Sequence, residues 1–593
     1  MRALLLAAIT ALALSACDSD DDTADTTTPP PTVPAQATVK LIGFNDFHGT
    51  LNPPGTTSVP KPGDEPKTVV LPGGGAAWLA TLVAQEKAKN PLHAVVAAGD
   101  LIGATPLVSA LFRDEPTIEA LNLIGLEFSS VGNHEFDKGK AEIQRMQAGG
   151  CFQPEDSGTC QNGRFAGASF KYLAANVIDS ATTRPLFPAY ATKEFDVGGK
   201  KLKVGFIGLV LKETPTIVTP AGVAGLEFRD EAEAANAAVT ELKAQGVRAI
   251  VVLIHQGNTT TGAFNDKTCP GVSGELLAIL PKLDAEIDAV VSGHSHWAYL
   301  CKGKLKNDKE VPYTSAGANG RYLTTIDLKL DTATGDVVST EANNLVVVNN
   351  TAPNPTPSTY PTVTPTPAVE TLVGRYNALT KPLQDRVIGS ISGDMTRTAN
   401  SAGESSLGDV IADAQLEATK AAGKGEAVVA FMNPGGIRAD FVASQVSGSE
   451  KAGEVTYGEA FTVQPFGNSL VTMTLTGAQI DMLLEQQFDN PAAGQTRFLQ
   501  VSSGFSYTWD NTAAVGSKVD IGTIRINGLA IDPAANYRVT VNSFLATGGD
   551  RFFILSSGGS RLGGAQDIDA LVDYFKAKPN LAPGAQDRIT RLN

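Results

Sequence analysis

The chain has 593 residues, a formal net charge of −15, five cysteines and six histidines. That length exceeds one ordinary core, so two or more domains are expected. The negative balance, with no basic stripe, argues against a nucleic-acid backbone as partner, because nothing is present to release counterions from phosphates.

The amino terminus comes first. Met1-Arg2, an apolar run from Ala3 to Leu14 and Ser15-Ala16-Cys17 read as a positive n-region, a short h-region and a small-residue cleavage site. The run is too short to span a bilayer. Leu14-Ser15-Ala16-Cys17 is similar to a bacterial lipobox, so residues 1–17 are assigned to a lipoprotein signal peptide and a membrane partner is expected through lipid on Cys17. Asp18 to Gln36 is Asp, Thr and Pro with almost nothing apolar, which predicts a disordered tether over 18–36. A second Pro- and Thr-rich stretch, 349–367, reads as a semi-extended interdomain linker. The globular parts are then 37–348 and 368–593.

Within 37–348, Val39 to Ile42, Ala94 to Ala97, Val204 to Ile207, Ile250 to Leu253 and Ala289 to Val291 are short, β-branched runs bounded by polar residues or glycine, as buried strands are. Between them, Ala76 to Lys89 and Asp230 to Gln245 carry helical periodicity. Such alternation predicts α/β layers, in which ligands gather beyond the carboxyl ends of the strands. Five of the six histidines fall in motifs at those ends. The motifs are Asp46-Phe47-His48-Gly49, Gly132-Asn133-His134-Glu135 with Asp137 behind it, Ile254-His255-Gln256-Gly257 and Gly293-His294-Ser295-His296. Gly99-Asp100 lies between the first two, and His93, outside them all, is assigned a structural role.

Asp, His and Asn together offer hard oxygen and borderline imidazole ligands, suited to Zn, Mn, Fe or similar ions. Seven such ligands exceed the needs of one tetrahedral ion. Two ions sharing a bridging carboxylate would use them all, and pairs about 3.5–4 Å apart recur in phosphate-ester hydrolases. Besides Cys17, the cysteines are Cys151, Cys160, Cys269 and Cys301, an even number in an exported chain. Two disulfides are expected, Cys151 with Cys160 and Cys269 with Cys301; no Cys-x-x-Cys spacing supports zinc ligation instead.

Within 368–593, helices are predicted near Val369 to Leu379 and Leu407 to Lys420. Leu470 to Leu475 and Tyr537 to Val541 read as strands, so the second part is expected to be α+β.

The ordered set Asp-x-His, Gly-Asp, Gly-Asn-His-Glu, His and Gly-His-x-His resembles the calcineurin-like metallophosphoesterases. The longer forms Asn45 to Gly49 and Gly132 to Asp137 narrow the resemblance to the secreted bacterial 5'-nucleotidases and UDP-sugar hydrolases. It implies an α/β fold, a four-layer α/β/β/α sandwich followed by a separate α+β substrate-binding domain, and two divalent ions such as Zn, Mn or Co. Asp46, His48 and His296 would hold the first ion and Asn133, His255 and His294 the second, with Asp100 bridging. Some family members have glutamine where His296 stands. His134 matches the catalytic histidine and Asp137 the aspartate that orients it.

In the second part, three stretches resemble the family's nucleotide-recognition half. Phe466 and Phe544 would sandwich a nucleobase, a contact of roughly 1–3 kcal/mol per base. Asp550 would accept from ribose hydroxyls, Arg438 would meet phosphate or ribose oxygens, and Asn433 would supply an amide. One departure stands out. Where some relatives carry a substrate-contacting arginine shortly before Leu407-Gly408, this chain has Gly403 and Glu404, and nearby Arg397 aligns with no such role.

The function implied is an extracytoplasmic phosphohydrolase that converts nucleotides to nucleoside and phosphate. Hydrolysis of UDP-sugars or 2',3'-cyclic nucleotides on the same site is the alternative. A non-catalytic nucleotide-binding lipoprotein should have decayed ligands, and all seven are present. A sulfur-compound hydrolase of related fold should lack the paired phenylalanines.

Overall fold

The computed structural model describes residues 33–64, 67–153, 158–218 and 221–593. The expected signal peptide, Cys17 and nearly all of the tether lie outside them. Among the described residues, no helix is long and apolar enough to cross a membrane.

Two six-stranded sheets form the first part. One is ordered Val337–Val346, Tyr322–Asp331, Gln36–Phe44, His93–Ala98, Phe128–Ser130, Lys171–Leu173, and its last four strands run parallel. The other is ordered Ala298–Lys304, Glu310–Ala316, Ile287–Ser292, Ala249–His255, Lys200–Val210, Tyr190–Val197, parallel at its centre and antiparallel at both edges. The central strands are apolar throughout because both faces are covered. Leu41, Val96, Phe206, Val251 and Leu253 fill the space between the sheets. Ile42, Val95 and Ala97 face Ala76–Lys89 and Glu115–Ile124 on one outer side, and Ile250, Val252 and Ile254 face Glu231–Ala244 on the other. Each fully buried aliphatic side chain contributes roughly 1.5–3 kcal/mol. The result is the expected α/β/β/α sandwich.

Local signals set the helix ends. Asp230 caps Glu231–Ala244 by accepting from the backbone N–H groups of Ala232 and Glu233, and Lys243 sits in its last turn, where a cation meets the negative end of the helix.

The second part is built on a five-stranded mixed sheet ordered Gln500–Val501, Val429–Met432, Asn536–Asn542, Ser469–Thr476, Gly559–Gln566. The helices Ser406–Thr419 and Asp567–Ala577 share one core with Met432, and Gly477–Glu485 and Phe505–Asp510 share another with Val429 and Phe431.

The helix Pro367–Gln384, placed by sequence at the start of the second part, packs on the first. Its apolar residues Val369, Leu372, Val373 and Tyr376 recur at helical spacing and join the core beneath Ala76–Lys89 and Glu115–Ile124. The Tyr376 ring lies 4.9 Å from that of Phe112, and Asn377 and Asn52 pair through reciprocal amide hydrogen bonds of 2.8 Å. The Pro- and Thr-rich stretch before it is also bonded to the first part. Asn349 N donates to the Pro72 carbonyl (3.1 Å), Tyr360 Oη to that of Pro60 (2.8 Å) and Thr366 N to that of Ala77 (2.9 Å).

Disulfides join Cys151 to Cys160 and Cys269 to Cys301, as expected, with Cα–Cα distances of 5.5 and 5.3 Å. The second ties the loop after His255 to the strand Ala298–Lys304, just beyond His296.

Candidate functional site

Every predicted ligand follows or ends a strand of the parallel centres. Asp46 and His48 follow Gln36–Phe44, Asp100 follows His93–Ala98, Asn133 follows Phe128–Ser130, His255 ends Ala249–His255, and His294 and His296 follow Ile287–Ser292. The chain turns sharply at each exit. Asp46, His48, Asp100, His294 and His296 all have left-handed backbones, with φ of 48°, 46°, 50°, 70° and 62°. Such conformations cost of order 1–3 kcal/mol each in a non-glycine residue and persist only where surrounding bonds enforce them. Here they do: Asp46 N donates to the Gly99 carbonyl and His48 N to that of Asp100, each at 3.0 Å, and His294 N donates to Asp46 Oδ2 at 3.0 Å. His93 lies at the opposite, amino end of its strand, where its Nδ1 donates to the Asn90 carbonyl (2.7 Å).

Ligand atoms of Asp46, His48 and His296 all lie within 4.8 Å of one another, as do those of Asp100, His255 and His294. Asp100 Oδ2 stands between the groups, 3.7 Å from His48 Nε2 and 3.0 Å from His255 Nε2. The Asn133 Oδ1 atom lies 3.2 Å from His255 Nε2 and 3.0 Å from His294 Nδ1.

The donor chemistry fits cations. The Nδ1 atom of His48 donates to the Gly103 carbonyl (2.9 Å) and that of His255 to the Ala98 carbonyl (2.7 Å), so each Nε2 keeps its lone pair when the ring is neutral. His296 Nε2 lies 3.1 Å from that of His48, and the acceptors Asp100 Oδ2 and Asn133 Oδ1 stand around that of His255. Acceptors turned on one another repel unless a positive charge lies among them. Burial holds the His48 and His294 rings down to about 3, leaving them neutral, the form that ligates metals. Burial also opposes a charge on His255, but the Asp100 carboxylate outweighs it and raises that ring to about 9. The sequence places two groups of metal-binding residues here, and the geometry accommodates two divalent ions.

Glu135 closes the motif Gly132-Asn133-His134-Glu135, and the structure gives it a role. Its carboxylate accepts from the backbone N–H groups of Asp100 (2.9 Å), Leu101 (2.8 Å) and Gly132 (2.6 Å), clasping the two loops that carry Asp100 and Asn133. Burial, reinforced by Asp100, pushes Glu135 up to about 7. Glutamine there would turn an N–H₂ group toward backbone donors. Glu135→Gln is therefore expected to weaken metal binding by about 10–100-fold, read by competition with a chromogenic chelator. Unchanged affinity would count against the clasp.

His134 stands beside the clusters and in neither. Its Nδ1 lies 2.8 Å from Asp137 Oδ2, which leaves Nε2 for the cavity. Burial opposes its charge, but Asp137 and then Asp100 raise its pKa above the ordinary value.

That cavity, of about 220 Å³, is closed on one side by Asn133, His134, Asp137 and His294, and on the other by the second domain. All five predicted substrate residues, Asn433, Arg438, Phe466, Phe544 and Asp550, line it. The Phe466 ring stacks on His134 with centroids 5.8 Å apart and 19° between planes, and the Arg438 guanidinium lies 5.9 Å from the Phe466 centroid. Asn433 Nδ2 donates to Asp550 Oδ2 (2.7 Å). Arg397, left without a role by sequence, donates to the Arg438 carbonyl (2.9 Å). A Cβ at Gly403 would lie 2.3 Å from the Phe498 ring, so no side chain fits there, and buried Glu404 accepts from the backbone N–H groups of Arg588 and Ile589. Sequence reading missed Arg497, which also lines the cavity and had no motif around it.

The family model for calcineurin-like phosphoesterases matches residues 39–298, the class that the sandwich and its strand-end ligands define. That for the 5'-nucleotidase C-terminal domain matches residues 387–557. The chain belongs to the 5'-nucleotidase family of two-domain, metal-dependent hydrolases. A cell wall protein of Listeria monocytogenes is 32% identical over 575 residues, 91% of this chain and 67% of that protein. An endonuclease of Bacillus subtilis is 30% identical over 91% of this chain, which spans only 40% of that relative's length. Among solved structures, a 5'-nucleotidase precursor from Thermus thermophilus superposes with a TM-score of 0.72 and 28% identity, over 94% of this chain and all of that one.

Proposed function

We propose that this chain is an exported 5'-nucleotidase that cleaves the phosphate from nucleotides to give nucleoside and phosphate. The observation that carries the reading is one cavity lined by His134 and the ligands Asn133 and His294 on one side, and by two phenylalanines and a carboxylate on the other. Asp46, His48 and His296 would hold one divalent ion and Asn133, His255 and His294 the other, with Asp100 shared between the two groups. Bound ions of this kind supply a nucleophilic oxygen at neutral pH and neutralise phosphoryl charge.

The chain's own residues supply the rest. Asp137 fixes the orientation of His134, whose Nε2, when protonated, stabilises charge on the phosphoryl group or the leaving oxygen. Arg438 meets phosphate or ribose oxygens, Asn433 fixes Asp550, Asp550 accepts from the ribose, and Phe466 and Phe544 stack on the base.

Two disulfides favour an oxidising compartment, and the lipobox at Cys17 favours a lipid anchor in the cell envelope. The Listeria relative, named a cell wall protein, supports the same placement.

Phosphate release from AMP, ATP, UDP-glucose and a 2',3'-cyclic nucleotide, measured with Mn, Co or Zn and with chelator, tests this. Metal-dependent release from AMP is expected, and no metal-dependent release from any of the four refutes the enzyme reading. In Phe544→Ala, loss of one stacking face is expected to raise the nucleotide KM by about 5- to 150-fold. Steady-state kinetics would show that, and an unmoved KM would remove Phe544 from the clamp.

A further inference from the structure

A buried tyrosine behind the metal-binding loops has no part in the reading above. Tyr299 stands in Ala298–Lys304, three residues past His296, and is 1% exposed. Its Oη accepts from the backbone N–H of Asn258 (3.2 Å), three residues past His255, and lies 2.6 Å from Ser292 Oγ, two residues before His294. Ser292 Oγ donates to the Thr314 carbonyl (2.8 Å), so the phenol's own proton goes to Ser292. Burial pushes that phenol above its ordinary value, and the proton stays in place at neutral pH. The Asn258 carbonyl in turn accepts from Ser295 Oγ (2.6 Å), the residue between His294 and His296. Asn258 is thus held at both its N–H and its C=O by the segment that carries the other two histidines.

A Cβ at Gly257 would lie 2.1 Å from the Gly293 carbonyl oxygen, so the two loops touch backbone to backbone and leave no room for a side chain as spacer. Glycine permits that close approach without fixing it, whereas directional hydrogen bonds to both loops from one rigid phenol do fix it. The pair that depends on the gap is His255 and His294, whose rings lie 5.2 Å apart, with Asn133 Oδ1 within 3.2 Å of a nitrogen of each. The loop of Asp46 and His48 is held from elsewhere. Asn45 Nδ2 donates to the Gly317 carbonyl and Asn45 Oδ1 accepts from Ala316 N, each at 2.7 Å. Only His296 ties the first group of ligands to the segment that Tyr299 holds.

We propose that Tyr299 is a positioning residue for the second ion, its hydroxyl setting the gap between the loops of His255 and His294. The proposal rests on the two-ion reading of the site. In Tyr299→Phe the ring still fills its space, but the Asn258 N–H is left buried with no other acceptor among the described residues, and Ser292 Oγ loses its donor. Loss of a partner that orients metal ligands lowers metal affinity by about 10–100-fold.

The test is Mn binding to the full chain, followed by electron paramagnetic resonance, in the unaltered protein, Tyr299→Phe and Tyr172→Phe. In Tyr299→Phe one of the two affinities is expected to fall by about 10–100-fold and the other to change by less than about threefold. Tyr172 is also fully buried in the first domain, but its hydroxyl bonds to no group among the described residues, so Tyr172→Phe should leave both affinities unmoved. The loss should persist in a His48→Ala background, which lacks a ligand of the first ion, and vanish in His294→Ala. Activity of Tyr299→Phe should fall at limiting Mn and return with excess Mn, which a tyrosine that only stabilises the fold would not produce. Two affinities that stay unchanged or fall together would overturn the proposal, as would Tyr172→Phe matching Tyr299→Phe or the reverse pattern in the two backgrounds. An unaltered protein that binds no Mn would overturn the two-ion reading and this proposal with it. Two ions bound and unmoved by Tyr299→Phe would overturn the proposal alone. If Tyr299→Phe fails to fold by circular dichroism, Ser292→Ala, which breaks the same chain of hydrogen bonds at its other end, decides by the same criteria.

Discussion

Replacing His134 by alanine is expected to lower kcat by about 10²–10⁴-fold without releasing either ion. The two effects separate because the imidazole belongs to neither ligand cluster. What His134 contributes to the metal loops is its backbone N–H, which donates to Asp100 Oδ1 at 2.9 Å and survives the substitution. Its ring is held by Asp137 at Nδ1 and lies against Phe466, so its loss removes a proton-bearing atom from the cavity and one face of a stack. Steady-state kinetics on AMP beside elemental analysis of the same preparation checks both halves. Full activity would exclude the role given to His134, and loss of metal would show that the ring is needed for the site itself.

Asp100→Asn is expected to act on the metals first. Asp100 Oδ2 is the atom shared between the two groups, and its charge balances the rings that surround it. Burial works against that charge, while His255 foremost, then His134, hold Asp100 well below the ordinary carboxylate range. An amide keeps the shape and discards the charge. Metal content is expected to fall from two ions to one or fewer per chain, with the loss of several kcal/mol of transition-state stabilisation, about 10³-fold in kcat/KM. Two ions retained at full occupancy would show that Asp100 does not bridge.

The catalytic half was legible because parallel strands covered on both faces must be apolar along their length. Ala249 to Ile254 is such a run, and the polar His255 that ends it marks where chemistry begins. Periodicity, however, says that a face is buried and not what buries it. Val369, Leu372, Val373 and Tyr376 announced an amphipathic helix, but only the fold shows that its partners are Phe112 and the helices of the first domain. Composition likewise marked 349–367 as a linker, since proline and threonine reveal nothing of the backbone partners they find at Pro72, Pro60 and Ala77. Glu135 stands in the same motif as the ligand Asn133, yet its partners Asp100 and Leu101 lie more than thirty residues away. Arg497 had no motif at all. It pairs with Asp550, 53 residues further along the chain.

The docking of Pro367–Gln384 bears on how the two halves of the cavity meet. With 349–366 stitched down and that helix embedded in the first core, the second domain is carried on a stiff arm rather than a rope. Its covalent joint is confined to the few bonds around Asp385 and Arg386, where the Gln384 side chain abuts Gly458 and Tyr457 N donates to the Arg386 carbonyl at 2.8 Å. A flexible nineteen-residue tether would make the clamp search a large volume on every approach and pay loop-closure entropy each time. A docked arm leaves the second domain only the freedom of that short joint, so the search that brings Phe466 and Asp550 to His134 is smaller.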